Sequence, residues 1–399
     1  MDSVLVRYGE IGIKSDEVRG KYEQTLVKNL KSMLEFAEVS FKAIKRDFGR
    51  IFIITNDVPA AHVAAKVFGV VSTSPADTTS ADLGDIELLA IKIIAPLISK
   101  ASSFALRVRR TGKHEYSSRD VGVIIGNAIA DVTKASVDLT NPDIELFIEI
   151  RDRRSYLYTE VIRGVGGMPL GTQGKIIAMI SGGIDSPVAS WMMMKRGCEI
   201  IPLFYDCGLY MGDTSRKRAV DCIKALAVWA GRPLRTARVT HEKTLQKAMQ
   251  SDRRLTCLLC KRMMYRLATE IAREEGAHGI VTGESIGQVA SQTTPNLLVI
   301  NDAAEVPVFR PLIGMDKTEI MRLARSIGTY KLSTAGGQTS CKAAPRHPST
   351  NANIASVLKA ESRIHIGELS RGAIETIKWK RIYPDKNYQW ILECFDESK

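Results

Sequence analysis

The feature that most constrains this fold is a short apolar strand that runs into a glycine-rich turn and then into a helix. The strand is KIIAMI at 175–180, the turn is SGGIDS at 181–186, and Pro187 follows. A proline suits the first turn of a helix, where no N–H partner is lost, and Ser186 is the predicted N-cap. Such a loop presents backbone N–H groups and the positive end of a helix dipole to a phosphate group. For the loop alone, a plain strand-to-helix turn is the alternative.

The chemistry of this loop differs from that of the usual mononucleotide loop. That loop ends in Gly-Lys-Ser or Gly-Lys-Thr and places the lysine on the terminal phosphates. Here the lysine is absent and Asp185 is present, which favours pyrophosphate held through Mg²⁺. We therefore expect ATP to be cleaved between its α and β phosphates, so that AMP is left on the substrate.

Apolar strands alternate with helical stretches from residue 175 onward. After KIIAMI come the strands EIIPLFY, LRTARV and GIVTG. This alternation predicts an α/β fold with a doubly wound parallel sheet. Ligands in open sheets of this kind bind at the carboxyl ends of the strands, where Phe204, Tyr205 and Gly283 stand. Ordinary core packing is the alternative for the two aromatic rings.

The first 165 residues show a different pattern, which predicts two smaller α+β units. The predicted elements are strands at 3–8, 50–56, 104–110, 144–152 and 155–162, and helices from Glu17 and at 59–68, 85–100 and 120–135. A glycine-rich segment at 164–175 is predicted as the boundary to the C-terminal part.

Basic residues outnumber acidic ones, so that the formal net charge is +12 and the pI is about 9.3. This excess favours a polyanionic partner, most commonly nucleic acid, although a merely basic enzyme is the alternative. Candidate nucleic-acid contacts cluster around one predicted strand, at Arg107, Arg109, Arg110, Lys113 and Arg119. A solvated charged face is the alternative for this run.

The sequence shows neither a signal-peptide pattern nor an apolar stretch long enough to span a membrane. We therefore expect a cytoplasmic protein without membrane contact. The seven cysteines agree with a reducing compartment, because an odd number without a secretion signal argues against a disulfide framework.

Three cysteines stand in contexts that suggest chemistry. Cys257 and Cys260 form a C-x-x-C motif among basic residues, which predicts lowered thiol pKa values, although a chance pair is the alternative. Cys341 lies in a basic loop rich in Gly and Pro, which predicts an exposed thiol. Together the three allow a persulfide relay or an iron–sulfur cluster with one open iron site, whereas structural zinc lacks a fourth ligand. We interpret the remaining cysteines as packing residues: Cys198, Cys207, Cys222 and Cys394.

With these motifs the chain resembles the tRNA uridine 4-sulfurtransferases, or 4-thiouridine synthases. The resemblance is carried by VRYGEIGIKS, MPLGTQGKIIAMISGGIDSPVAS, CKRMM, VTGESIGQVASQT and C-x-x-x-P-x-x-P at Cys341. It implies an N-terminal ferredoxin-like domain over 1–60, an RNA-binding THUMP domain over 61–165 and a PP-loop adenylation domain over 166–399. We expect no C-terminal rhodanese-like domain, since only 58 residues follow Cys341. The C-x-x-C motif suggests the cluster-dependent variant, which resembles archaeal members of the family.

The resemblance also implies roles for individual residues. The implied ATP contacts are Met179, Ile180, Phe204, Tyr205, Lys261, Gly283 and Gln292. The implied pyrophosphate loop contains Ser181, Gly182, Gly183, Asp185 and Ser186. The implied catalytic residues are Asp185, Cys341, Cys257 and Cys260, of which the three cysteines are also the implied metal ligands of an iron–sulfur cluster.

The implied reaction is adenylation of O4 of the uridine at position 8 of tRNA, followed by sulfur transfer that releases AMP. ATP and Mg²⁺ are the expected cofactors, and the sulfur donor is a cysteine desulfurase persulfide or sulfide. A homodimer is an open expectation. Two alternatives stay open: sulfur transfer to a small carrier protein for thiamine synthesis, and a non-catalytic RNA-binding protein with a relict nucleotide fold.

Overall fold

The computed structural model describes residues 1–47, 49–98, 103–337 and 340–393. Its strands are β1 (Ser3–Tyr8), β2 (Ala43–Asp47), β3 (Arg50–Ile54), β4 (Val70–Ser80), β5 (Ser103–Thr111), β6 (Ser136–Val137), β7 (Ile144–Arg151), β8 (Arg154–Tyr158), β9 (Ile162–Arg163), β10 (Lys175–Ile180), β11 (Glu199–Asp206), β12 (Leu234–Thr240), β13 (Ile280–Val281), β14 (Val308–Phe309) and β15 (Lys378–Ile382). Its α-helices are α1 (Asp16–Phe36), α2 (Ala60–Ala65), α3 (Leu83–Ile98), α4 (Ser118–Thr133), α5 (Asp185–Lys195), α6 (Asp213–Ala230), α7 (Glu242–Ser251), α8 (Thr256–Glu275), α9 (Thr294–Asn301), α10 (Lys317–Ser326), α11 (Tyr330–Thr334), α12 (Ile354–Glu361) and α13 (Ile366–Ile374).

The contacts divide the chain into two compact units. The first contains residues 1–14, 37–65 and 70–166, and the second contains residues 15–36, 66–69 and 167–399. Among the described residues, no helix is both long and apolar enough to cross a membrane. The predicted division into three domains stays a prediction.

The first unit is built on one continuous sheet of strand order β2-β3-β1-β4-β8-β7-β5-β6, with β9 also paired to β4. The long strand β4 joins its two halves, because it pairs with β1 through residues 70–76 and with β8 through residues 77–80. Strands β4 and β2 were not predicted from the sequence. Both are rich in polar residues, so neither shows the apolar run by which the other strands were recognised.

Helices α3 and α4 cover one face of this sheet in the half that contains β5 and β7. Their apolar stripes contribute Ile94 and Ile125, which pack with Phe104, Leu146 and Ile148 of the sheet. Helix α4 begins at a capping box between Ser117 and Asp120. The predicted strand–helix order of this segment is confirmed, apart from residues 99–102, which lie outside the described residues.

The second unit contains a sheet of order β14-β13-β10-β11-β12-β15. Neighbouring strands from β14 to β12 are parallel, which confirms the predicted doubly wound α/β fold. Ile177 and Leu203 pack with Leu267 and Ile271 of α8, so the strands are apolar because helices bury them. At the edge, the basic strand β15 runs antiparallel to β12, and this strand was not predicted.

The order of the strands creates a crevice in the second unit. Strand β10 is followed along the chain by β11 on one side and has the later strand β13 on its other side. The strand order therefore changes direction at β10, and in open sheets of this kind a ligand cleft lies at the carboxyl ends of the strands at such a point. Of the predicted nucleotide contacts, Met179 and Ile180 lie at the end of β10, and Phe204 and Tyr205 lie at the end of β11. The predicted pyrophosphate loop runs from the end of β10 into the first turn of α5, which begins at Asp185.

Candidate functional site

The predicted phosphate loop connects β10 to α5 in the second unit. Ser181 N donates to Ser186 Oγ at 2.9 Å, and Gly183 N donates to Ser181 Oγ at 3.3 Å, so side-chain hydroxyls hold the turn closed. Position 182 has no room for a side chain, because a Cβ there would lie 2.7 Å from the carbonyl oxygen of Ser215. Pro187 lies in the first turn of α5, as predicted.

The predicted N-cap was wrong. Ser186 is the second residue of α5, and the N-cap is Ile184, which makes no side-chain hydrogen bond to the helix. The Ser186 hydroxyl instead accepts from the loop at Ser181. The N-cap side chain therefore does not occupy the first N–H groups of α5, which is the arrangement that anion binding at a helix start uses.

A cavity of about 230 Å³ opens beside this loop, and we call it the nucleotide cavity. Nine of the predicted site residues line it: Met179, Ile180, Ser181, Asp185, Ser186, Tyr205, Lys261, Gly283 and Gln292. Gly182, Gly183 and Phe204 are not part of the lining. Phe204 is buried at the end of β11 opposite Ile180, which is the position of a supporting core residue.

A buried carboxylate that the sequence analysis did not single out forms one wall of this cavity. Glu284 Oε1 accepts from Lys261 Nζ at 2.9 Å, and its Oε2 accepts from Tyr265 Oη at 2.6 Å and Arg310 Nε at 2.9 Å. Burial works to raise the pKa of Glu284, but these partners, Lys261 above all, outweigh it and lower the pKa to about 2. The carboxylate is therefore charged and fixes the direction of the Lys261 side chain.

Lys317 is a second residue that the sequence analysis missed. It is the first residue of α10, and its Nζ lies 2.6 Å from Asp185 Oδ1 and 3.5 Å from Gln288 Oε1. The sequence did carry a signal for the helix start, a capping box between Asp316 and Glu319. Nothing local shows that this helix start faces Asp185, 132 residues earlier.

The three candidate cysteines approach one another in the second unit. Cys257 and Cys260 lie in the first turns of α8, and Cys341 is exposed, as predicted. Burial raises the pKa of the Cys257 and Cys260 thiols, and the nearby thiol of Cys341 adds to the rise. The predicted lowering was wrong, because Leu258 and its apolar neighbours bury the start of α8 and the Lys261 charge is held by Glu284.

Cys207 belongs to the same group, although the sequence predicts it to be a packing residue. It follows β11, and burial raises the pKa of its thiol to about 12, with further contributions from Cys341 and Asp206. The loop after Cys207 is tied to the Cys341 loop by a hydrogen bond from Lys342 N to Tyr210 O at 3.2 Å. We call Cys207, Cys257, Cys260 and Cys341 the thiol centre.

His241 contacts the thiol centre through Cys260. His241 Nε2 lies 3.3 Å from Cys260 Sγ, and the ring stands edge-on to Tyr205 with centroids 5.4 Å apart. Burial lowers the pKa of His241 to about 4. Within the described residues, no three His, Cys, Asp or Glu side chains are placed to hold a single metal ion.

The other cysteines do not join the centre. Cys198 and Cys222 are buried, in agreement with the packing interpretation, and burial raises the pKa of both thiols. Cys394 lies outside the described residues, as do Gln338 and Thr339 of the Cys341 loop.

The five predicted nucleic-acid contacts fall on two surfaces of the first unit. Arg107 and Arg109 alternate with residues that face α3 and α4, so they lie on the opposite face of the sheet. Arg107 Nε pairs with Glu145 at 2.7 Å, whereas Arg109 is exposed. Arg110 points to the helix face and donates to Gly112 O at 3.1 Å.

The two remaining candidates, Lys113 and Arg119, are both exposed. Arg119 lines a groove of about 520 Å³ between α4 and β5, and Lys113 lies in the loop after β5. The structure therefore does not gather the five basic residues into a single patch.

Family models match three successive parts of the chain. The ThiI ferredoxin-like domain matches residues 3–74, the THUMP domain matches residues 80–160, and the thiamine biosynthesis protein family ThiI matches residues 171–366.

Similar proteins cover most of the chain. A probable tRNA sulfurtransferase of Methanosarcina mazei is 44% identical over 382 residues, which is 94% of this chain and 94% of that protein. The probable tRNA sulfurtransferase of Halobacterium salinarum is 40% identical over 364 residues, 89% of this chain and 92% of that protein.

Two solved structures are similar as well. A 4-thiouridine synthetase in complex with RNA and bound ATP has a TM-score of 0.87 and 31% identity, covering 96% of this chain and 100% of that chain. The protein PH1313 of Pyrococcus horikoshii has a TM-score of 0.66 and 29% identity, covering 82% and 100%.

Proposed function

Because this chain belongs to the tRNA sulfurtransferase family, we propose that it catalyses ATP-dependent sulfur transfer to tRNA. In this reaction O4 of uridine 8 attacks the α-phosphate of ATP and pyrophosphate leaves. A sulfur nucleophile then attacks C4, AMP leaves, and 4-thiouridine is formed. ATP is the nucleotide and tRNA is the substrate.

One observation carries this proposal: a single helix links the nucleotide cavity to the thiol centre. Helix α8 contributes Cys257 and Cys260 to the thiol centre. The next residue, Lys261, and Tyr265 about one turn later line the nucleotide cavity. Tyr205 connects them again, because it lines the cavity and contacts His241. A base adenylated in the cavity is thus within the same site as the sulfur that replaces AMP, which is the positioning that a two-step transfer needs.

Different residues around the nucleotide cavity have different roles in the first step, the adenylation of uridine. The Ser181–Ser186 turn and the start of α5 bind the pyrophosphate through backbone N–H groups. Lys317 and Lys261 place positive charge where negative charge develops on phosphorus and the leaving group. Met179 and Ile180 form the apolar floor on which the adenine lies.

Asp185 is the residue that fits a magnesium ion. Its carboxylate is 25% exposed and faces the cavity, and Mg²⁺ is commonly held by one or two carboxylates together with substrate phosphates. When bound, the ion neutralises charge on the phosphates. Lys317, whose Nζ lies 2.6 Å from Asp185 Oδ1, would place its positive charge beside the same phosphates.

The thiol centre is the proposed sulfur site. Cysteine sulfur is the ligand that iron–sulfur clusters take, and the influence of Cys341 on the pKa of Cys257 and Cys260 agrees with three such ligands near one another. Cys257, Cys260 and Cys341 would hold such a cluster, which when bound supplies an iron site for sulfide. A persulfide on the exposed Cys341 is the alternative carrier, with a cysteine desulfurase as donor.

The first unit supplies the proposed tRNA contacts. The exposed residues Arg109, Lys113 and Arg119 reach solvent from two surfaces, in agreement with phosphate contacts along an extended RNA. We propose the division into ferredoxin-like, THUMP and PP-loop domains, a homodimer and a cytoplasmic reaction on the same premise. The free cysteines agree with a reducing compartment.

The proposed reaction can be tested by identifying the products that are formed from ATP. Incubation with tRNA should release pyrophosphate and AMP, and release of ADP would contradict the proposal. Asp185→Ala should abolish this turnover and keep tRNA binding, whereas a non-catalytic RNA-binding protein would not change in either respect. Cys341→Ser should keep pyrophosphate release and lose 4-thiouridine, which is measured by nucleoside mass spectrometry.

Sulfur transfer to a small carrier protein is the second candidate function. It is favoured by the family model over residues 171–366, which is named for thiamine biosynthesis. The two functions share the adenylation chemistry and differ in the acceptor. Comparing pyrophosphate release with tRNA and with a carrier protein that ends in a free carboxylate separates them.

A further inference from the structure

A buried histidine lies against the thiol centre without an assigned role. His241 follows β12 and is completely buried, and its backbone N donates to Asp206 O at 2.8 Å. This bond sets the histidine beside Cys207, which follows Asp206. Although His241 precedes α7, its side chain makes no capping bond to that helix. The ring is therefore buried in the protein interior and does not cap α7, although capping is the usual role of a polar side chain at this position.

The contacts of the ring point to the sulfur of Cys260. Nε2 lies 3.3 Å from Cys260 Sγ, within hydrogen-bond range for sulfur, and the Tyr205 ring packs edge-on against the imidazole. Nδ1 is buried and has no hydrogen-bond partner among the described residues. A histidine that only fills the core usually bonds through both nitrogens, because an unpaired buried polar atom is unfavourable. The side-chain hydrogen bond of this ring is the one from Nε2 to Cys260.

A donor at this place suits Cys260 in the proposed role of a metal ligand. A thiol that becomes a thiolate or a metal ligand can only accept hydrogen bonds. The nearest cation along the chain, Lys261, is directed to Glu284 at 2.9 Å and lines the nucleotide cavity. A neutral imidazole can donate to the sulfur without adding another buried charge.

We propose that His241 is a positioning residue of the thiol centre, which donates its Nε2–H to Cys260 and holds that sulfur in place as a metal-ligating thiolate. This inference rests on the proposed function, since it assigns a second contact shell to the proposed iron–sulfur site. Hydrogen bonds to ligand sulfur are among the means by which a protein tunes such clusters.

The test compares two amides at position 241. In His241→Gln the amide nitrogen can reach the place of Nε2, whereas in His241→Asn it reaches only the place of Nδ1. The wild type and both variants are loaded anaerobically with ferrous iron and sulfide. Iron and sulfide per chain, the visible absorption and the rate of iron loss to a chelator are then measured.

We expect His241→Asn to lose iron about 10–100-fold faster than the wild type, which is the usual effect of removing such a partner. His241→Gln should stay close to the wild type. Equal rates for Asn and the wild type, or equally fast loss for Gln and Asn, would overturn the proposal, as would a wild type that takes up no iron. The control is His278→Gln on an exposed loop, which should match the wild type.

Pyrophosphate release with tRNA is measured on the same wild-type preparation. If no pyrophosphate were released, the proposed function would be wrong. The rates of iron loss in the wild type and the two variants would still test the role of His241. Melting curves of both variants show that each is folded. Because the two amides have the same polarity, a difference between them reports the hydrogen bond rather than the loss of a ring.

Discussion

Replacing Glu284 by Gln tests how the nucleotide cavity is held together. Gln keeps the shape of the side chain and mimics a protonated carboxyl. The wild-type pKa is lowered from 4.5 to about 2, which corresponds to about 3 kcal/mol of stability at pH 7. Breaking a buried ion pair costs roughly 3–5 kcal/mol. The lower end applies, since the Lys261 and Arg310 side chains stay 24% and 16% exposed.

The pH dependence has a definite sign. Because the folded-state pKa of Glu284 is depressed, its contribution is complete above pH 4.5 and is lost as the pH falls toward 2. The stability gap between wild type and Glu284→Gln should therefore be constant from pH 7 to 5. By pH 3 it should shrink to about half, because most of the wild-type advantage disappears between the two pKa values.

The assay is urea unfolding followed by tryptophan fluorescence. The four tryptophans of the chain all lie in the second unit, so their signal reports the unfolding of that unit. Glu361→Gln is the matched control, because Glu361 is also buried and pairs with Arg262 at 2.8 Å and Arg266 at 2.7 Å. It lies outside the lining of the nucleotide cavity.

Both variants should lose stability, but only Glu284→Gln should raise the KM for ATP, since only Glu284 orients Lys261. A loss below about 1 kcal/mol at pH 7, or a gap that does not change between pH 5 and pH 3, would refute the argument. An equal rise in KM for Glu361→Gln would show that general loosening, and not Lys261, is responsible.

Three further changes test other parts of the site. Lys317→Met should slow pyrophosphate release roughly 10²-fold, as removal of a charge-stabilising group does, and a loss below tenfold would assign Lys317 a structural role only. Gly283→Ala should abolish ATP binding in calorimetry, because its Cβ would stand 2.6 Å from Ser186 N; unchanged affinity would contradict the close approach. Arg109→Ala should reduce the slope of log K for tRNA against log salt by about 1, and an unchanged slope would remove Arg109 from the interface.

The phosphate loop illustrates what could be predicted from sequence. Its strand, turn and helix are contiguous, and each depends on local chemistry: apolar residues for a buried strand, glycine for close approach, proline for a first turn. The alternation of strands and helices predicted the parallel sheet in the same way. Ser186 was misplaced by two positions, because its hydroxyl closes the turn instead of capping the helix.

The thiol pKa values illustrate what could not be predicted. The basic neighbours of Cys257 and Cys260 suggested lowered pKa values, but burial raises both. Burial depends on which elements pack over the start of α8, and charge counts along the chain do not contain that information. Cys207 was missed for the same reason, since its neighbours in sequence are not its neighbours in space.

By itself, the sequence determined the phosphate loop, the α/β class of the second unit and the family resemblance, because these depend on residues close together in the chain. Only the tertiary structure decided that Lys317 meets Asp185, that Glu284 orients Lys261 and that His241 contacts Cys260. Such pairs form where strand ends and helix starts converge. Strand order and burial set that convergence, and both are properties of the whole fold.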